Sequence, residues 1–382
     1  MEAVRGGASQ REVAERLGVG RGTVQRAVLR AGDDDLEHVD WADRPTTPHR
    51  TRRTDPSTEA RVARVRGELR DGILGDHGPA AIREALLAAG DDRVPSVRTI
   101  ARIVTRLGLN ERPRRVRRPA PPRGWYLPDV AAGEAELDAF DAIVDLPVFA
   151  HGDMDVLTGI SLHGGDPDAW PGRSVTASGT CTALEERWRR VGRPGYAQFD
   201  NDTRFLGSHG YPDILGQVPL LVLRLGVTPV FAPIREMGFQ ADIEGFNGRW
   251  QRRVYGRAFG FPPDEIAALS DRYLAAVRAR RALRIEAAPP RRPWPEAPEP
   301  RAGRGRVVFV RRTTLGGEVE ILGRLYPVDP TRLHRLVRAE LDFDDLVIRC
   351  FALHRRDPGF QPLLAELPYV LPANRAWVAR MS

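Results

Sequence analysis

The sequence contains no lysine, so all 58 of its basic residues are arginine. Its only cysteines, Cys181 and Cys350, lie far apart, which excludes a disulfide framework and a cysteine-based zinc site. No run of about eighteen apolar residues occurs, so no membrane-spanning helix is expected. The N-terminal segment MEAVRGGASQ lacks the apolar core of a secretory signal. These absences predict a cytoplasmic protein without a membrane partner.

The remaining composition is that of a folded chain with a polyanionic partner. Hydrophobic residues make up 42% and charged residues 29% of the 382 residues, and this length suggests about two to four domains. The formal net charge of +7 favours nucleic acid over a membrane surface, because neutralising phosphates releases counterions. Arginine content alone does not indicate phosphate chemistry, so the positions of the arginines matter more than their number.

Residues 1–32 carry the pattern of two short helices. Ser9 and Glu12 form a capping box, and the turn Gly18-Val19-Gly20 precedes a second amphipathic stretch. The pattern predicts a helix-turn-helix whose second helix enters the major groove, although a plain helical hairpin would share it. The predicted DNA contacts are Arg21, Thr23, Gln25 and Arg26.

Residues 58–110 form a second helical pattern, predicted as another helix-turn-helix or as a structural or dimerising bundle. Ser96 is the predicted N-cap of its last helix, whose buried face comprises Ile100, Ile103, Val104 and Leu107. Arg98, Thr99 and Arg102 are the predicted DNA contacts on the opposite side. The polar segment 33–56 is predicted to be a linker. Segment 111–124, with six arginines, is predicted either to follow a DNA backbone or to form a hinge.

The sequence pattern changes over residues 135–286, where it indicates three successive strands followed by alternating helices and strands. The pattern predicts an α/β core with a five-stranded mixed sheet flanked by helices, and it places the third strand at SVTA, residues 174–177. Residues 304–372 contain short alternating strands with a hairpin turn near 342–345, which predicts a separate small β-barrel.

The segments YAQFDNDTRF and LGVTPVFAPIREMGFQADIEGFNGRWQ resemble the second half of the catalytic core of retroviral integrases and insertion-sequence transposases. The matching residues are Asp200-Asn201, Leu225-Gly226-Val227, Pro233, Glu244 and Asn247. Asp202 replaces the family's glycine, residues 208–217 resemble an insert, and the first half lacks a clean Trp-Gln-x-Asp signature. The resemblance implies a ribonuclease-H-like fold and a site of three carboxylates that binds Mg²⁺ or Mn²⁺. It also makes Asn201 and Asn247 candidate DNA contacts.

The chemistry of phosphoryl transfer requires a group of carboxylates that lie close together. Two divalent ions held by carboxylates clamp the attacking and leaving oxygens, and magnesium prefers oxygen ligands. Asp200 follows a strand and Glu244 shares a helix face with Gln240, Asn247 and Gln251.

The first carboxylate is Asp141 or Asp138, on one predicted strand. A hairpin centred on His151-Gly152 would pair Asp141 with about Leu162 and would place the partner of Asp138 near Gly165, beyond the strand. This pairing favours Asp141, whereas Glu136-Leu137 before Asp138 resembles the family motif.

Together these features predict a transposase or integrase. Metal-activated water would nick the end of the mobile element, and the freed 3′-hydroxyl would attack target DNA. The partners would be double-stranded DNA, as element ends and as target, and further copies of the chain assembled on it in the nucleoid. The alternatives are a DNA-binding regulator or inactive remnant with a degenerate core, and a nuclease of the same fold.

Overall fold

The computed structural model describes residues 1–42, 54–91, 93–110, 120–148, 150–172, 174–207, 212–236, 238–258, 260–296 and 304–370. Residues 43–53 of the predicted linker 33–56, residues 111–119 of the predicted linker 111–124 and residues 208–211 of the predicted insert lie outside the described residues. The chain divides into two compact units, Met1–Thr58 and Glu59–Ser382. None of the described helices has the length and apolar character needed to cross a bilayer.

The first unit contains the predicted pair of helices. They are α2 (Gln10–Leu17) and α3 (Arg21–Ala31), preceded by the short α1 (Glu2–Arg5). Ser9 and Glu12 form both hydrogen bonds of the capping box, and Gly18 ends α2 at a φ of 65° that glycine adopts without strain. Val13, Ala14 and Val24 form the small core that joins the two helices.

Three helices of the second unit pack around a core of their own. They are α4 (Pro56–Asp71), α5 (Pro79–Ala88) and α6 (Val97–Arg106). Ser96 caps α6 as predicted, through a hydrogen bond from the Thr99 backbone N–H. Ile100, Ile103 and Val104 are buried, but Leu107 is 40% exposed. Leu107 leaves the apolar stripe because it is the C-cap residue, where the helix ends.

The described part of the second unit contains a nine-stranded mixed sheet. Its strands are β1 (Leu137–Val148), β2 (Gly152–Ser161), β3 (Pro167–Gly172), β4 (Tyr196–Phe199), β5 (Thr228–Phe231), β6 (Arg306–Arg312), β9 (Leu336–Asp342), β10 (Val347–Ala352) and β11 (Leu363–Pro368). Their order is β11-β10-β9-β6-β5-β4-β1-β2-β3. Strands β7 (Glu318–Ile321) and β8 (Arg324–Pro327) form a separate hairpin.

The mixed sheet was predicted, but the count of five strands was wrong. The five core strands are parallel where β1, β4 and β5 meet and antiparallel where β1, β2 and β3 meet. Strand β6 then pairs parallel with β5, so the C-terminal strands extend the core sheet. A closed barrel does not occur among the strand pairings of the described residues. The β9–β10 turn lies where predicted, between Asp342 and Val347.

A row of phenylalanines explains why β6 continues the sheet. Phe140, Phe199, Phe231 and Phe309 come from the successive strands β1, β4, β5 and β6, with neighbouring ring centroids 5.5, 6.2 and 5.3 Å apart. Such aromatic contacts each contribute about 0.5–1.5 kcal/mol beyond the area that they bury. Pairing with β6 also covers the edge that β5 would otherwise expose.

The predicted third strand at SVTA was wrong. The third strand is β3, which lies earlier, and Thr176 of SVTA is instead the N-cap of α8 (Ala177–Val191). β3 begins at Pro167 and contains Pro171, residues that favour a loop in a sequence. These prolines are tolerated because β3 is the terminal strand of the sheet and pairs only with β2.

Helices cover both faces of the sheet. The remaining helices are α7 (Pro128–Ala132), α9 (Thr203–Leu206), α10 (Gln217–Arg224), α11 (Ala241–Arg253), α12 (Pro263–Arg280) and α13 (Ala282–Glu286), with a 3₁₀ turn at Tyr255–Arg257. One core cluster joins α8 and α10 to the face of β1 that bears Phe140. A second cluster joins α11 and α12 to the opposite face, which bears Ala139 and Ile143.

Candidate active site

Three predicted carboxylates come from three elements of the second unit. Asp141 lies in β1, Asp200 directly follows β4, and Glu244 lies in the first turn of α11. Asp141 pairs with Thr158, so the predicted pairing with Leu162 was wrong by four residues. The hairpin turn comes earlier than expected, because Val148 already pairs with Gly152.

Asp141 is held by a short chain of hydrogen bonds from α11 and β2. Asn247 Nδ2 donates to Asp141 Oδ2 at 2.8 Å, and Asn247 Oδ1 accepts from Thr158 Oγ1 at 2.7 Å. The Ala142 backbone N–H donates to Asp141 Oδ1 at 2.9 Å. Both ends of the buried Asn247 amide are therefore occupied, and in this arrangement Asn247 orients a carboxylate. Thr158 was not singled out in the sequence, because its role depends on the β1–β2 register.

The charges of the three carboxylates act on one another. Burial raises the pKa of Asp141 to about 6, and the negative charges of Asp200 and Glu244 contribute to the rise. Burial also raises the pKa of Asp200, and the charge of Asp202 adds to it. Arg204 opposes both shifts. The three carboxylates thus lie close enough to repel, and a cation would relieve that repulsion.

Asp200 and Glu244 line an open pocket of about 480 Å³. Its walls also include Gln240, Asn201 and the segment 232–236 that follows β5. Gln240 Nε2 is buried there without a hydrogen-bond partner among the described residues. The pocket therefore offers the carboxylates of Asp200 and Glu244 to a ligand.

Carboxylate oxygens are the ligands that Mg²⁺ and Mn²⁺ prefer, so this donor set fits such an ion chemically. Among the described residues, however, no three His, Cys, Asp or Glu side chains are close enough to hold a metal ion as they stand. Glu244 is exposed at the pocket. The carboxylates are electrostatically coupled without forming a closed ligand set.

Asp138, the other candidate for the first carboxylate, lies on the opposite face of β1 and is fully buried. Its carboxylate accepts hydrogen bonds from Arg187 Nε at 3.0 Å, Trp188 Nε1 at 3.0 Å and Arg291 Nη2 at 2.6 Å. Burial alone would raise the pKa of Asp138, but Arg187 and Arg291 hold it well below its usual range. Asp138 is therefore an internally neutralised part of the α8 face.

Asp202 is the N-cap of the short helix α9. Its Oδ1 accepts from the Arg204 backbone N–H at 2.8 Å, and the Arg204 guanidinium donates to its other oxygen at 2.6 Å. The Asp202 backbone N–H in turn donates to Asp200 Oδ1 at 3.0 Å. Asp202 thus stabilises the turn that follows Asp200.

Asn201 connects the end of β4 to its neighbours. Its Nδ2 donates to the carbonyl of Ala232 at 2.6 Å, and its Oδ1 accepts from Arg311 Nη2 at 2.7 Å. Arg311, on β6, is buried, and burial lowers its pKa to about 10. Sequence inspection missed Arg311 because it belongs to the segment predicted to form a separate barrel.

The predicted DNA contacts on the helical elements lie mostly on exposed faces. Arg21, Thr23, Gln25 and Arg26 on α3 are all exposed, as are Arg98 and Arg102 on α6. Thr99 is half-buried, and its hydroxyl lies 3.0 Å from that of Ser96 at the helix cap.

No protein-family model matches the chain, and a search of curated proteins finds no match. Several solved structures are similar to parts of the chain at low sequence identity. The integrase catalytic core of HTLV-2 in complex with magnesium has 12% identity and a TM-score of 0.29, with 37% of this chain and 84% of that chain covered.

The intasome of simian T-cell lymphotropic virus in complex with PP2A regulatory subunit B56 gamma gives 14% identity and a TM-score of 0.36, with 76% of this chain and 93% of that chain covered. The catalytic core domain of BIV integrase has 13% identity and a TM-score of 0.30, with 37% of this chain and 82% of that chain covered. At these identities and TM-scores the likeness carries no argument about activity, which has to rest on the site.

Proposed function

We propose that the chain is a metal-dependent polynucleotidyl transferase of the transposase or integrase type, acting on double-stranded DNA. Asp141, Asp200 and Glu244 would hold Mg²⁺ or Mn²⁺. The observation that carries the proposal is that three carboxylates from separate elements meet in one region: Asp200 and Glu244 line the same pocket, and Asn247, on the helix of Glu244, holds Asp141. Coupled carboxylates of this kind cluster at functional sites more often than at structural ones.

The residues of the chain would supply orientation and charge. Asn247 holds Asp141 through its amide, and the Asp202 N–H holds Asp200. Bound divalent ions would stabilise the charge that develops on the attacking and leaving oxygens. Asp141 is preferred to Asp138 as the first carboxylate, because Asp138 is already neutralised by two arginines on the other face of the sheet.

The exposed arginines of α3 and α6 support DNA binding by residues 1–110, with an affinity that falls steeply with salt. The matched test is the full chain with Arg21 and Arg26 replaced by alanine, measured on labelled duplex at two salt concentrations. Unchanged affinity and salt dependence would remove α3 from the proposed DNA interface. Element ends and target DNA would both be bound by several copies of the chain.

The catalytic proposal is tested by strand cleavage and joining on the DNA that flanks the gene, with Mg²⁺ or Mn²⁺. Asp200→Asn and Glu244→Gln should each abolish both reactions and leave duplex binding intact. Asp242→Asn is the matched control, because this carboxylate lies on the same helix but faces Arg123 at 4.0 Å. Cutting and joining by both site variants would refute the three-carboxylate assignment.

A DNA-binding regulator or inactive remnant is the second candidate. It is favoured by one observation, that the described carboxylates do not form a closed ligand set. Under this alternative the unmodified chain binds duplex DNA and cuts it with neither metal. The same assay therefore separates the two functions.

A further inference from the structure

A second cleft of about 660 Å³ lies on the other side of α11, bounded by α12 and by the loop 72–78 between α4 and α5. Its lining is dominated by Arg249, Arg252, Arg253, Arg280, Arg281 and Tyr273. Arg249 is five residues beyond Glu244, which turns it roughly 140° around the helix axis from the carboxylate pocket. Neither Asp200 nor Glu244 lines this cleft.

Two of these arginines have structural roles. Arg253 donates to the carbonyls of Arg70 at 3.0 Å and Gly75 at 3.3 Å. Gly75 has a φ of +59°, and a Cβ there would overlap the Arg253 guanidinium, so the loop closes tightly on this side chain. Arg280 forms ion pairs with Asp76 and Glu84.

Among the described residues, Arg252 and Arg281 form no ion pair with a carboxylate, although the charge of Asp242 acts on Arg281. Arg252 is exposed and makes no hydrogen bond or ion pair within the described part of the chain. Arg281 donates to the carbonyl of Gly165 and not to a carboxylate. Burial lowers the pKa of Arg281, and the charge of Arg249 lowers it further. The arginines thus repel one another across the cleft, and an anion would relieve this repulsion.

We propose that this cleft binds phosphate groups. Guanidinium groups present planar pairs of donors that match phosphate oxygens, and several of them converge here around a concave surface. The phosphates could be those of a nucleic-acid backbone or those of a free polyphosphate, since both present the same chemistry. The site is separate from the carboxylates, so it does not depend on the catalytic proposal.

The test uses the full chain and inorganic tripolyphosphate in calorimetry, with EDTA present so that no metal bridges the carboxylates. Arg252→Glu should weaken binding by about tenfold or more, because it replaces a charge-assisted donor with a repelling charge. Arg272→Glu is the matched control: it makes the same charge change at an exposed position of α12 outside the cleft. Its affinity should stay within about twofold of the unmodified chain, since distant surface charges are screened.

Competition identifies the source of the phosphates. Displacement of tripolyphosphate by a short duplex from the unmodified chain would assign the site to a DNA backbone, and lack of displacement would assign it to a free polyphosphate. The proposal is overturned if tripolyphosphate does not bind, or if both glutamate variants weaken it equally while retaining the unmodified chain's melting temperature. If the unmodified chain does not cleave DNA, the catalytic proposal fails, but the tripolyphosphate measurements still test this cleft.

Discussion

Asp138 and Asp141 lie three residues apart on β1, but their side chains leave the strand on opposite faces of the sheet. On the α8 face, Asp138 meets Arg187 and Arg291 and is neutralised inside the protein. On the α11 face, Asp141 meets an amide and the negative charges of two further carboxylates. Asp138 is fully buried and Asp141 is partly buried, and among the described residues only Asp138 is paired directly with arginines.

The difference shows how a buried carboxylate in this sheet can be assigned a role. A buried acid with its own arginines contributes to the fold, and removing one partner leaves the other charge uncompensated. A buried acid that faces other acids destabilises the fold until a cation arrives, which is the arrangement expected of a ligand site.

The largest expected effect is on the α8 face. Asp138→Asn should lower the free energy of unfolding by about 3–5 kcal/mol, because it leaves Arg187 and Arg291 short of a buried partner. Urea denaturation measures this loss. DNA cleavage per folded molecule should survive, since Asp138 is not a proposed metal ligand. An Asp138→Asn chain that is as stable as the original and does not cleave DNA would reverse the assignment of the two aspartates.

The next effect concerns pH on the α11 face. The pKa of Asp141 rises from 3.8 to about 6 on folding, so its stabilising contribution is full below pH 3.8 and is lost as the pH rises through 6. In the absence of metal, the free energy of unfolding of the unmodified chain should fall by about 2 kcal/mol over this pH range, and that of Asp141→Asn should not. The measurement is the free energy of unfolding at pH 4 and pH 7 in EDTA. Identical pH slopes for the two chains would show that the pKa of Asp141 is not raised in the folded protein.

The sequence predicts the parts of the site that depend on local pattern. Asp200 follows a buried strand and Glu244 begins an amphipathic helix, so each could be located from its own segment. The helix caps at Ser9 and Ser96 are likewise local and were confirmed. The side chains around them were not predictable in this way, because Thr158 and Arg311 reach the site from distant strands.

Register and strand neighbours limited the prediction of the fold. The β1–β2 turn was misplaced, and a register error changes which residues meet across a hairpin. Alternation of apolar and polar residues predicts a strand but does not identify its partner, so β6 could not be assigned to the edge of β5. Pro167 and Pro171 concealed β3, since prolines are compatible only with an edge position that the sequence does not reveal.

A smaller effect is expected from metal binding to the α11 face. Mg²⁺ or Mn²⁺ at ten times its dissociation constant should raise the stability of the unmodified chain by about 1.4 kcal/mol. Asp141→Asn should lose most of this increase, because a ligand and part of the repulsion disappear together. Differential scanning calorimetry with and without metal measures this increase in stability. Asp242→Asn is the control variant, which should show the same increase as the unmodified chain. An equal shift in Asp141→Asn would exclude Asp141 as a ligand.

The smallest effect is expected at Asp202, the N-cap of α9. Asp202→Gly should destabilise the protein by only a few tenths of a kcal/mol, because glycine is itself tolerated at an N-cap. The charge of Asp202 raises the pKa of Asp200, so its removal should lower that pKa and let the carboxylate ionise at lower pH. On the acidic side, the pH–rate profile of DNA cleavage should therefore move to lower pH with little change in stability.

Asp202→Asn is the matched variant, because it keeps a capping oxygen and removes the charge. It should move the acidic side of the profile in the same direction. A profile that stays in place in both variants would mean that the ionisation of Asp200 does not limit the reaction.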